Sequence, residues 1–381
     1  MIIFVILLFG CVNPTEDPEP NQEVRGVWLT NVDSDVLDSR ENIAAAMTFL
    51  KEHHFNLVCP VVWNGGRTLY PSTVMDSLFQ LPIDAHYTGR DPLQEVIEEA
   101  HKRGIAVYAW FEFGFAASYQ KNGGHIVDRY PHWAARDIKG ALLSKNGFEW
   151  MNGYHPQVQQ FMIDLVMEVV NNYTVDGVQG DDRLPAQPSE GGYSSYTVKL
   201  YEGEHHGRKP PRDHTDSLWL KWRADKLNAF AQRLYQKVKQ QDAEVIVSWA
   251  PSIHPWAYEQ YLQDWPSWIE GRYADVVFPQ QYRHSFDEYK ALMPSQRYST
   301  LHLSEPALNR IYPGILMKVG DYVMDEAYLK KAIQLNRRVG VQGEVFFFYE
   351  GLRENNNALA ELLLNTFYTT EARLPDFTKN R

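Results

Sequence analysis

Short apolar segments rich in β-branched and aromatic residues alternate with amphipathic helical segments along the chain, and this alternation limits the folds open to it. Repeated β-then-α units without a glycine-rich phosphate loop predict a (β/α)₈ TIM barrel. A doubly wound open sheet is the alternative. The predicted strands are residues 24–31, 56–63, 105–113, 175–181, 244–249, 274–281, 314–318 and 344–349, and the predicted helices are residues 39–54, 93–103, 156–173 and 218–241.

The segments that follow the second, third and fourth predicted strands are long. Residues 64–91, 114–155 and 183–217 hold Gly, Pro, Ser, Tyr and His rather than core residues. In a barrel, such loops gather at the carboxyl ends of the strands, where active sites lie. Loops of this length inside a compact domain usually have a function. Without a second domain boundary in the sequence, we expect one barrel domain over residues 23–381.

The first ten residues form an apolar run that ends in Leu8-Phe9-Gly10-Cys11, which is similar to a bacterial lipobox. The run is too short to span a bilayer as a helix, and it lacks the positive residues of an ordinary signal peptide. An acidic, proline-rich stretch follows and is typical of an extended tether. The sequence therefore predicts a signal segment and tether over residues 1–22, a lipid on Cys11, and attachment to a membrane of the bacterial cell envelope, with the outer membrane favoured. A frayed hydrophobic N-terminus is the alternative.

Composition and missing motifs exclude several classes of function. Lys and Arg total 37 against 48 Asp and Glu, a net charge of -11, so the chain lacks the basic face that a nucleic-acid binder needs. Cys59 is the only other cysteine, and with Cys11 lipidated no internal disulfide can form. The adjacent pairs His53-His54 and His205-His206 point apart on regular elements, so we expect no metal site. There is no Walker loop, Gly-x-Ser-x-Gly or His-Glu-x-x-His motif, and we expect no cofactor.

Carboxylates at the end of the fourth predicted strand are the first candidates for chemistry. This strand ends in Gln179-Gly180-Asp181-Asp182. Because strand side chains alternate, Asp181 shares a face with Gln179, whereas Asp182 points the other way unless the strand has already ended. If Gln179 faces the barrel axis, Asp181 lies at the mouth, and we interpret it as a nucleophile or base. A solvated loop start, or a turn cap in the case of Asp182, is the alternative.

Glu112 and Glu350 follow the third and eighth predicted strands. We expect Glu112 to share a face with Trp110, and Glu350 to share one with Phe346 and Phe348. A carboxyl group partly buried above aromatic rings has a raised pKa, which suits a general acid.

The acid partner stays open among Asp182, Glu112 and Glu350. Either glutamate could instead form an ion pair with Arg183 or Arg283. Glycoside hydrolysis is the commonest use of paired carboxylates on a TIM barrel.

Amides and aromatic rings at several strand ends can hydrogen-bond and stack a polyhydroxylated ring, although aromatic side chains there often only cover the core. The sequence predicts a sugar site lined by Gln179, Trp110, Trp249, His254, Gln280, Gln281 and Tyr282.

Four motifs in order resemble the glycosyl-hydrolase-like family 10. They are Arg25-Gly26-Val27-Trp28-Leu29-Thr30, the run from Phe55-Asn56 to Trp63, the run from Asn171 to Asp182, and Pro279-Gln280-Gln281-Tyr282. The resemblance covers residues 23 to 365 and implies a (β/α)₈ hydrolase that acts on sugars. The family includes an outer-membrane lipoprotein that acts on peptidoglycan strands stripped of their peptides, and it also includes members with other substrates.

The sequence departs from related patterns at two places. The family's Asn-Pro-Gly-x-Pro is replaced by Asn152-Gly153-Tyr154-His155-Pro156. The fourth strand is also similar to the Asp-Gly-x-Arg-x-Asp of alpha-amylases, whose last Asp is the nucleophile, but Gln179 replaces the arginine. No glutamate follows on the fifth strand, so the amylase acid is not carried over.

The sequence therefore predicts a lipid-anchored glycoside hydrolase whose substrate is the peptide-free glycan strand of peptidoglycan. A hydrolase of another polysaccharide and a non-catalytic carbohydrate-binding lipoprotein are the alternatives.

Overall fold

The apolar segments predicted as strands form one parallel sheet in the computed structural model, which describes residues 21–297 and 303–379. Nearly all of their residues are buried, as expected of parallel strands that are covered on both faces. The strands are β1 (Val24–Leu29), β2 (Leu57–Pro60), β3 (Ala106–Phe111), β4 (Gly177–Gly180), β5 (Ile246–Trp249), β6 (Val276–Val277), β7 (Gly314–Leu316) and β8 (Gly343–Phe347).

The strands follow one another around the sheet in the order in which they occur along the chain. Each strand from β1 to β5 pairs in parallel with the next, β7 pairs with β8, and β8 pairs with β1. Parallel bridges from Val277 to Ile311 and from Gln280 to Gly314 join β6 to the β7 side. The sheet is therefore closed. The predicted (β/α)₈ barrel is confirmed and the open-sheet alternative is wrong, because an open sheet leaves its first and last strands unpaired.

Helices cover the outside of the barrel and follow the predicted pattern. Several begin at a side chain that accepts a hydrogen bond from the first turn, including Ser39, Asp91 and Asp216. The helices are α1 (Arg40–Glu52), α2 (Thr73–Phe79), α3 (Pro92–His101), α4 (Gly124–Arg129), α5 (Pro156–Asn172), α6 (Ser195–Glu204), α7 (Ser217–Gln241), α8 (Trp256–Tyr261), α9 (Trp265–Glu270), α10 (Phe286–Arg297), α11 (Glu305–Leu308), α12 (Glu326–Arg338) and α13 (Tyr349–Thr366).

Alternate strand residues fill the interior of the barrel. The Trp28 indole Nε1 donates to Gln179 Oε1 at 2.6 Å, and Gln179 Nε2 donates to Ser248 Oγ at 3.0 Å. Gly177 lies on the same inner face as Gln179, and a Cβ there would lie 2.7 Å from the Tyr108 ring. Because side chains alternate along a strand, Asp181 follows Gly177 and Gln179 on this face and turns toward the mouth.

The long loops build additional structure at the carboxyl ends of the strands. After β3 the chain forms an antiparallel sheet of Ala116–Tyr119, Ser144–Lys145 and Phe148–Trp150. This loop is joined to the one after β4, because Asn152 Nδ2 donates to Ser194 Oγ at 2.7 Å. The loops after β3 and β4 are therefore joined on the face where the site is expected.

The two ends of the described barrel meet at its opposite face, at the amino ends of the strands. The Arg373 amide donates to the Asn21 carbonyl at 2.9 Å, and Gln22 forms a parallel bridge with Arg373. Arg25 Nη1 donates to the Thr370 carbonyl at 2.6 Å. Asn21 and Gln22, which the sequence assigns to the tether, thus pair with the C-terminal segment.

Of the two cysteines, Cys59 is buried in β2, and burial raises the pKa of its thiol. Cys11 and the predicted signal segment fall within residues 1–20, outside the described residues. Within the described part of the chain, no helix combines the length and the apolar character needed to cross a bilayer.

Candidate active site

A cluster of three carboxylates around one guanidinium lies where β3 and β4 end. Arg183 Nη2 lies 3.0 Å from Glu112 Oε1 and 3.1 Å from Asp181 Oδ2, and Arg183 Nη1 lies 2.9 Å from Asp182 Oδ1. Arg183 Nε donates to the Glu112 backbone carbonyl at 3.1 Å. In a continuing strand, Asp182 would point to the face opposite Asp181. Because β4 ends at Gly180, the Asp182 side chain can turn to the same guanidinium as Asp181.

Side-chain amides hold the other oxygens of the two more enclosed carboxylates. Gln280 Nε2 donates to Asp181 Oδ1 at 2.7 Å, and Gln263 Nε2 donates to the Asp181 backbone carbonyl at 3.0 Å. Asn64 Nδ2 donates to Glu112 Oε2 at 2.7 Å. Asp181 and Glu112 each accept from a guanidinium on one oxygen and from an amide on the other, which fixes their orientation.

Burial dominates the electrostatics of this cluster. Burial raises the pKa of the Asp181 carboxyl well above its ordinary value, the charge of Asp182 raises it further, and Arg183 opposes both. Burial likewise raises the pKa of Glu112, again against the effect of Arg183. Burial alone would lower the pKa of the Arg183 guanidinium, but the three carboxylates outweigh it and raise that pKa. Two carboxyl groups that bind a proton at higher pH than usual therefore flank a permanent cation.

Aromatic rings form the floor of the mouth. The Trp28 and Trp110 ring centroids are 6.3 Å apart, and the Tyr282 ring stacks on Phe347 at 5.1 Å with an interplanar angle of 29°. Burial raises the pKa of the Tyr282 phenol, and the charges of Asp181 and its neighbours add to the shift. The Trp110 indole N–H is buried and has no hydrogen-bond partner among the described residues. Such a donor suits an oxygen-rich ligand.

Trp249 does not line this site, and its predicted role in sugar binding is wrong. Ser248 contacts Gln179 inside the barrel, so the alternation of β5 turns Trp249 outward toward the helices. Its ring lies 5.3 Å from Trp268 of α9, and its Nε1 donates to the Tyr273 carbonyl at 3.3 Å. Trp249 is fully buried in this outer layer.

Glu350 lies at the same end of the barrel but in another set of contacts. β8 ends at Phe347, so Glu350 belongs to the first turn of α13 rather than to a strand face shared with Phe346 and Phe348, and that expectation is wrong. Glu350 Oε1 accepts from Ser34 Oγ at 2.6 Å. Burial raises its pKa, and the charge of Asp35 adds to the shift.

The two remaining predicted residues lie around the mouth. The His254 ring packs 6.3 Å from Trp265 and 6.4 Å from Tyr258 in the segment after β5, and burial lowers its pKa. Gln281 is buried next to β7, where its backbone N–H donates to the Gly314 carbonyl at 3.0 Å. The side-chain Oε1 of Gln281 has no partner among the described residues.

Sequence reasoning missed several members of the site. Arg183 entered only as an alternative partner for Glu112, and that ion pair is present. Asn64 follows the short segment after β2, and the same strand-end signal that selected the carboxylates could have found it. The positions of Trp28 and Phe347 in the floor of the mouth could be predicted only by knowing which face of each strand turns inward. Within residues 21–297 and 303–379, no group of His, Cys, Asp and Glu side chains could hold a metal ion.

Residues 23–329 match the model of the family described as glycosyl hydrolase-like 10. The chain belongs to this family. The resemblance inferred from the motifs is thereby confirmed, and the matched region includes both Glu112 and the Asp181–Arg183 segment.

Two named relatives are distant in sequence but match most of the chain. Glycosyl hydrolase DigH of Escherichia coli (strain K12) is 25% identical over an alignment of 394 positions, and the match covers 89% of this chain and 85% of DigH. Glycosyl hydrolase YngK of Bacillus subtilis (strain 168) is 21% identical over an alignment of 407 positions, and the match covers 94% of this chain and 74% of YngK. Both are named as glycosyl hydrolases, in agreement with the family description.

Solved structures similar to this glycosyl hydrolase-like 10 chain support the barrel fold. The glycoside hydrolase domain of PgaB (BpsB) from Bordetella bronchiseptica has a TM-score of 0.64 at 15% identity, covering 90% of this chain and 98% of that domain. The catalytic domain of β-amylase from Paenibacillus polymyxa has a TM-score of 0.60 at 9% identity, covering 92% of this chain and 99% of that domain. At these identities the likeness concerns the fold alone.

Proposed function

We propose that this chain hydrolyses glycosidic bonds in peptidoglycan glycan strands that have lost their peptides, with Asp181 and Glu112 as the reacting carboxylates. The observation that carries the proposal is the single Arg183 nitrogen that contacts both groups at 3.0 and 3.1 Å. The two contacting oxygens can therefore be at most about 6 Å apart. This upper limit lies below the roughly 6.5–9.5 Å carboxyl separation of inverting glycosidases and includes the about 5–5.5 Å of retaining ones.

The surroundings of the two carboxylates suggest a division of roles. The Asp181 side chain is 2% exposed and both its oxygens accept hydrogen bonds, so it is fixed as a nucleophile or base. The Glu112 side chain is 18% exposed and can reach a leaving-group oxygen, and its raised pKa favours the protonated form that a general acid needs. Asp182 contributes charge to the cluster. With Asp181 as the nucleophile, which the short carboxyl separation favours over a base, the product retains its anomeric configuration.

The choice of glycan and the cellular location rest on the sequence. Family members include a lipoprotein that acts on peptide-free peptidoglycan strands, and Leu8-Phe9-Gly10-Cys11 is similar to a lipobox. A lipid on Cys11 would hold the barrel at an envelope membrane, the outer membrane by preference, next to such strands. Another polysaccharide remains the alternative substrate.

Glycan binding without hydrolysis is the second candidate, and one observation favours it. Arg183 occupies an oxygen of both carboxylates, and an occupied carboxylate cannot attack or protonate a sugar until that contact changes. In that case the aromatic floor would bind the glycan and the ion pairs would only stabilise the mouth.

Release of reducing ends separates these candidates. The full-length chain, purified in detergent, is incubated with intact peptidoglycan, with glycan strands freed of peptides and with a panel of other polysaccharides, and the Asp181→Asn protein serves as the control for contaminating hydrolases. We expect release from the peptide-free strands by the parent protein alone. Release only from another polysaccharide would replace the proposed substrate. Binding without release from any of them would leave the binding role.

Removing the Arg183 charge should shift the pH dependence of catalysis. A cation next to a carboxyl group favours its ionised form, so its loss raises the pKa values of Asp181 and Glu112. We therefore expect both limbs of the kcat/KM profile of Arg183→Met to move to higher pH by roughly one unit or more. Arg183→Lys keeps the charge and should move the profile less. A profile that stays in place in Arg183→Met would show that Arg183 does not set these ionisations.

A further inference from the structure

Large apolar side chains that the fold leaves exposed gather at the end of the barrel that carries the carboxylates. Those among the described residues follow barrel strands or lie at the start of α7: Val32, Tyr119, Ile138, Leu218, Trp256 and Val319. The two aromatic members, Tyr119 and Trp256, are 47% and 43% exposed. Exposed apolar side chains that lie singly are ordinary on a protein surface, whereas neighbouring ones mark an interaction site, and the contacts of Tyr119 and Trp256 bring these two to the same turn.

Tyr119 lies beside a tight turn that is shaped to its ring. It ends the strand Ala116–Tyr119 in the loop after β3, and its ring centroid lies 5.0 Å from that of Phe148. Gly147 has a φ of +84°, and a Cβ there would lie 2.6 Å from the Tyr119 ring. Because Gly147 has no side chain, its backbone can pack directly against the Tyr119 ring, and the rest of that ring is open to solvent.

Trp256 lies on the other side of the same turn. It is the first residue of α8, and its ring centroid lies 5.3 Å from that of Tyr261. Asn146 Nδ2, in the turn, donates to Tyr261 Oη at 2.8 Å, and Lys145 Nζ donates to Gln260 Oε1 at 2.9 Å. These bonds join the turn to α8. We call Tyr119, Phe148, Tyr261 and Trp256 the aromatic rim.

The aromatic rim is continuous with the carboxylate cluster. The Arg183 guanidinium lies over the Phe148 ring at 4.5 Å from its centroid. Gln263, which follows α8, donates to the Asp181 backbone carbonyl at 3.0 Å. Burial raises the pKa of the Tyr261 phenol, and the charge of Asp182 adds to the shift. The rim thus extends from the reacting groups outward to two exposed rings.

We propose that the aromatic rim binds sugar rings beyond those at the carboxylates, so that the substrate is a chain of several sugars bound across the mouth. This inference rests on the proposed function and deepens it, because it assigns residues that bind the glycan strand outside the carboxylate site. A sugar ring has an apolar C–H face that stacks on an aromatic ring and hydroxyl groups at its edge that need polar neighbours. The rim offers both, because its rings surround a polar Lys145-Asn146 turn.

The test compares substrate lengths in the full-length protein. Trp256→Ala and Tyr119→Ala should each lower kcat/KM about fivefold on peptide-free strands of eight or more sugars, since one aromatic contact contributes a factor of this order. Both variants should leave kcat/KM unchanged on a chromogenic glycoside of one or two sugars, which does not reach the rim. Trp256→Phe and Tyr119→Phe keep a ring and should retain most of the activity on long strands.

Co-sedimentation with peptide-free sacculi gives a readout that does not depend on hydrolysis. We expect the parent chain to sediment with the sacculi and each alanine variant to need about fivefold more sacculi for the same sedimented fraction. If the parent cleaves no glycan but sediments, and the alanine variants sediment this much less readily, the rim is supported while the proposed hydrolysis fails. Equal losses on short and long substrates, no loss on long strands, or no sedimentation of the parent would each overturn the rim proposal.

Discussion

Replacing Asp181 with Asn should lower the turnover of glycan strands about a thousandfold or more. Asn keeps the shape and can still accept from Gln280, but it cannot form a glycosyl ester or take up a proton as a base. We expect a comparable loss on every substrate, including those with an activated leaving group, because such a group replaces the general acid but does not replace the nucleophile that bonds to the anomeric carbon in the same step. Initial rates of reducing-end release measure the effect, and unchanged far-UV circular dichroism verifies the fold.

Glu112→Gln is the matched variant, and its loss should depend on the leaving group. A general acid matters when the leaving group is a poor one, so we expect a loss of about a hundredfold or more on natural strands. With a dinitrophenyl glycoside, which needs no protonation, the glycosylation step of Glu112→Gln should be close to that of the parent. The opposite pattern, in which Asp181→Asn is rescued by the activated leaving group, would exchange the two roles. Full activity of Asp181→Asn on natural strands would remove Asp181 from the reaction.

A large effect on stability is expected at Glu344, far from the reacting groups. Its side chain is fully buried at the start of β8, where Arg337 contacts its oxygens at 2.9 and 3.0 Å and Tyr368 Oη donates at 2.7 Å. Glu344→Ala leaves the Arg337 charge largely enclosed without its main partner, which should lower the free energy of unfolding by about 3–5 kcal/mol. Urea denaturation followed by tryptophan fluorescence measures this difference.

The exposed ion pair between Lys221 and Asp225 on α7 is the control for Glu344. Both side chains are more than half exposed and solvent screens their attraction, so Asp225→Ala should leave the urea midpoint unchanged. Tyr368→Phe removes a single hydrogen bond to Glu344 and should lie between the two, at about 1 kcal/mol. A Glu344→Ala protein as stable as the Asp225→Ala protein would show that the buried carboxylate does not hold this part of the barrel together.

The barrel could be predicted because strand and helix segments differ in length and periodicity along the whole chain. Each short apolar run, such as the one that forms β5, lies between polar turns and a helix with a spacing of three to four residues between apolar positions. Closure between β6 and β7 could not be read from the sequence. The regular part of β6 is only Val276–Val277, and the barrel closes there through single bridges such as that from Gln280 to Gly314.

The direction of individual side chains was the weakest part of the prediction. Parallel strands are buried on both faces, so β8 has no polar residue between Val345 and Phe348 to mark its inner side. A shift of one residue exchanges the faces, and Phe347, rather than Phe346, stacks on Tyr282. The same absence of alternation allowed Trp249 to be assigned to the mouth, whereas it packs on Trp268.

The partner of each carboxylate depends on distances that composition and spacing do not contain. Glu112 and Arg183 are separated by about 70 residues, yet they meet because β3 and β4 are neighbours in the barrel. The sequence limited Glu112 to two roles, a free acid or an ion pair. The structure adds that one arginine contacts Glu112, Asp181 and Asp182 together, so the roles of these residues have to be tested as a unit.

The pairing of Asn21 and Gln22 with Arg373 fixes the point at which any upstream anchor meets the barrel. That point lies at the amino ends of the strands, whereas Asp181 and the aromatic rim lie at the carboxyl ends. The chain that precedes Asn21 therefore joins the barrel on the side opposite the mouth. A lipid on Cys11, as proposed above, would be attached to that side, so the anchor would not have to pass the carboxylates or the aromatic rim.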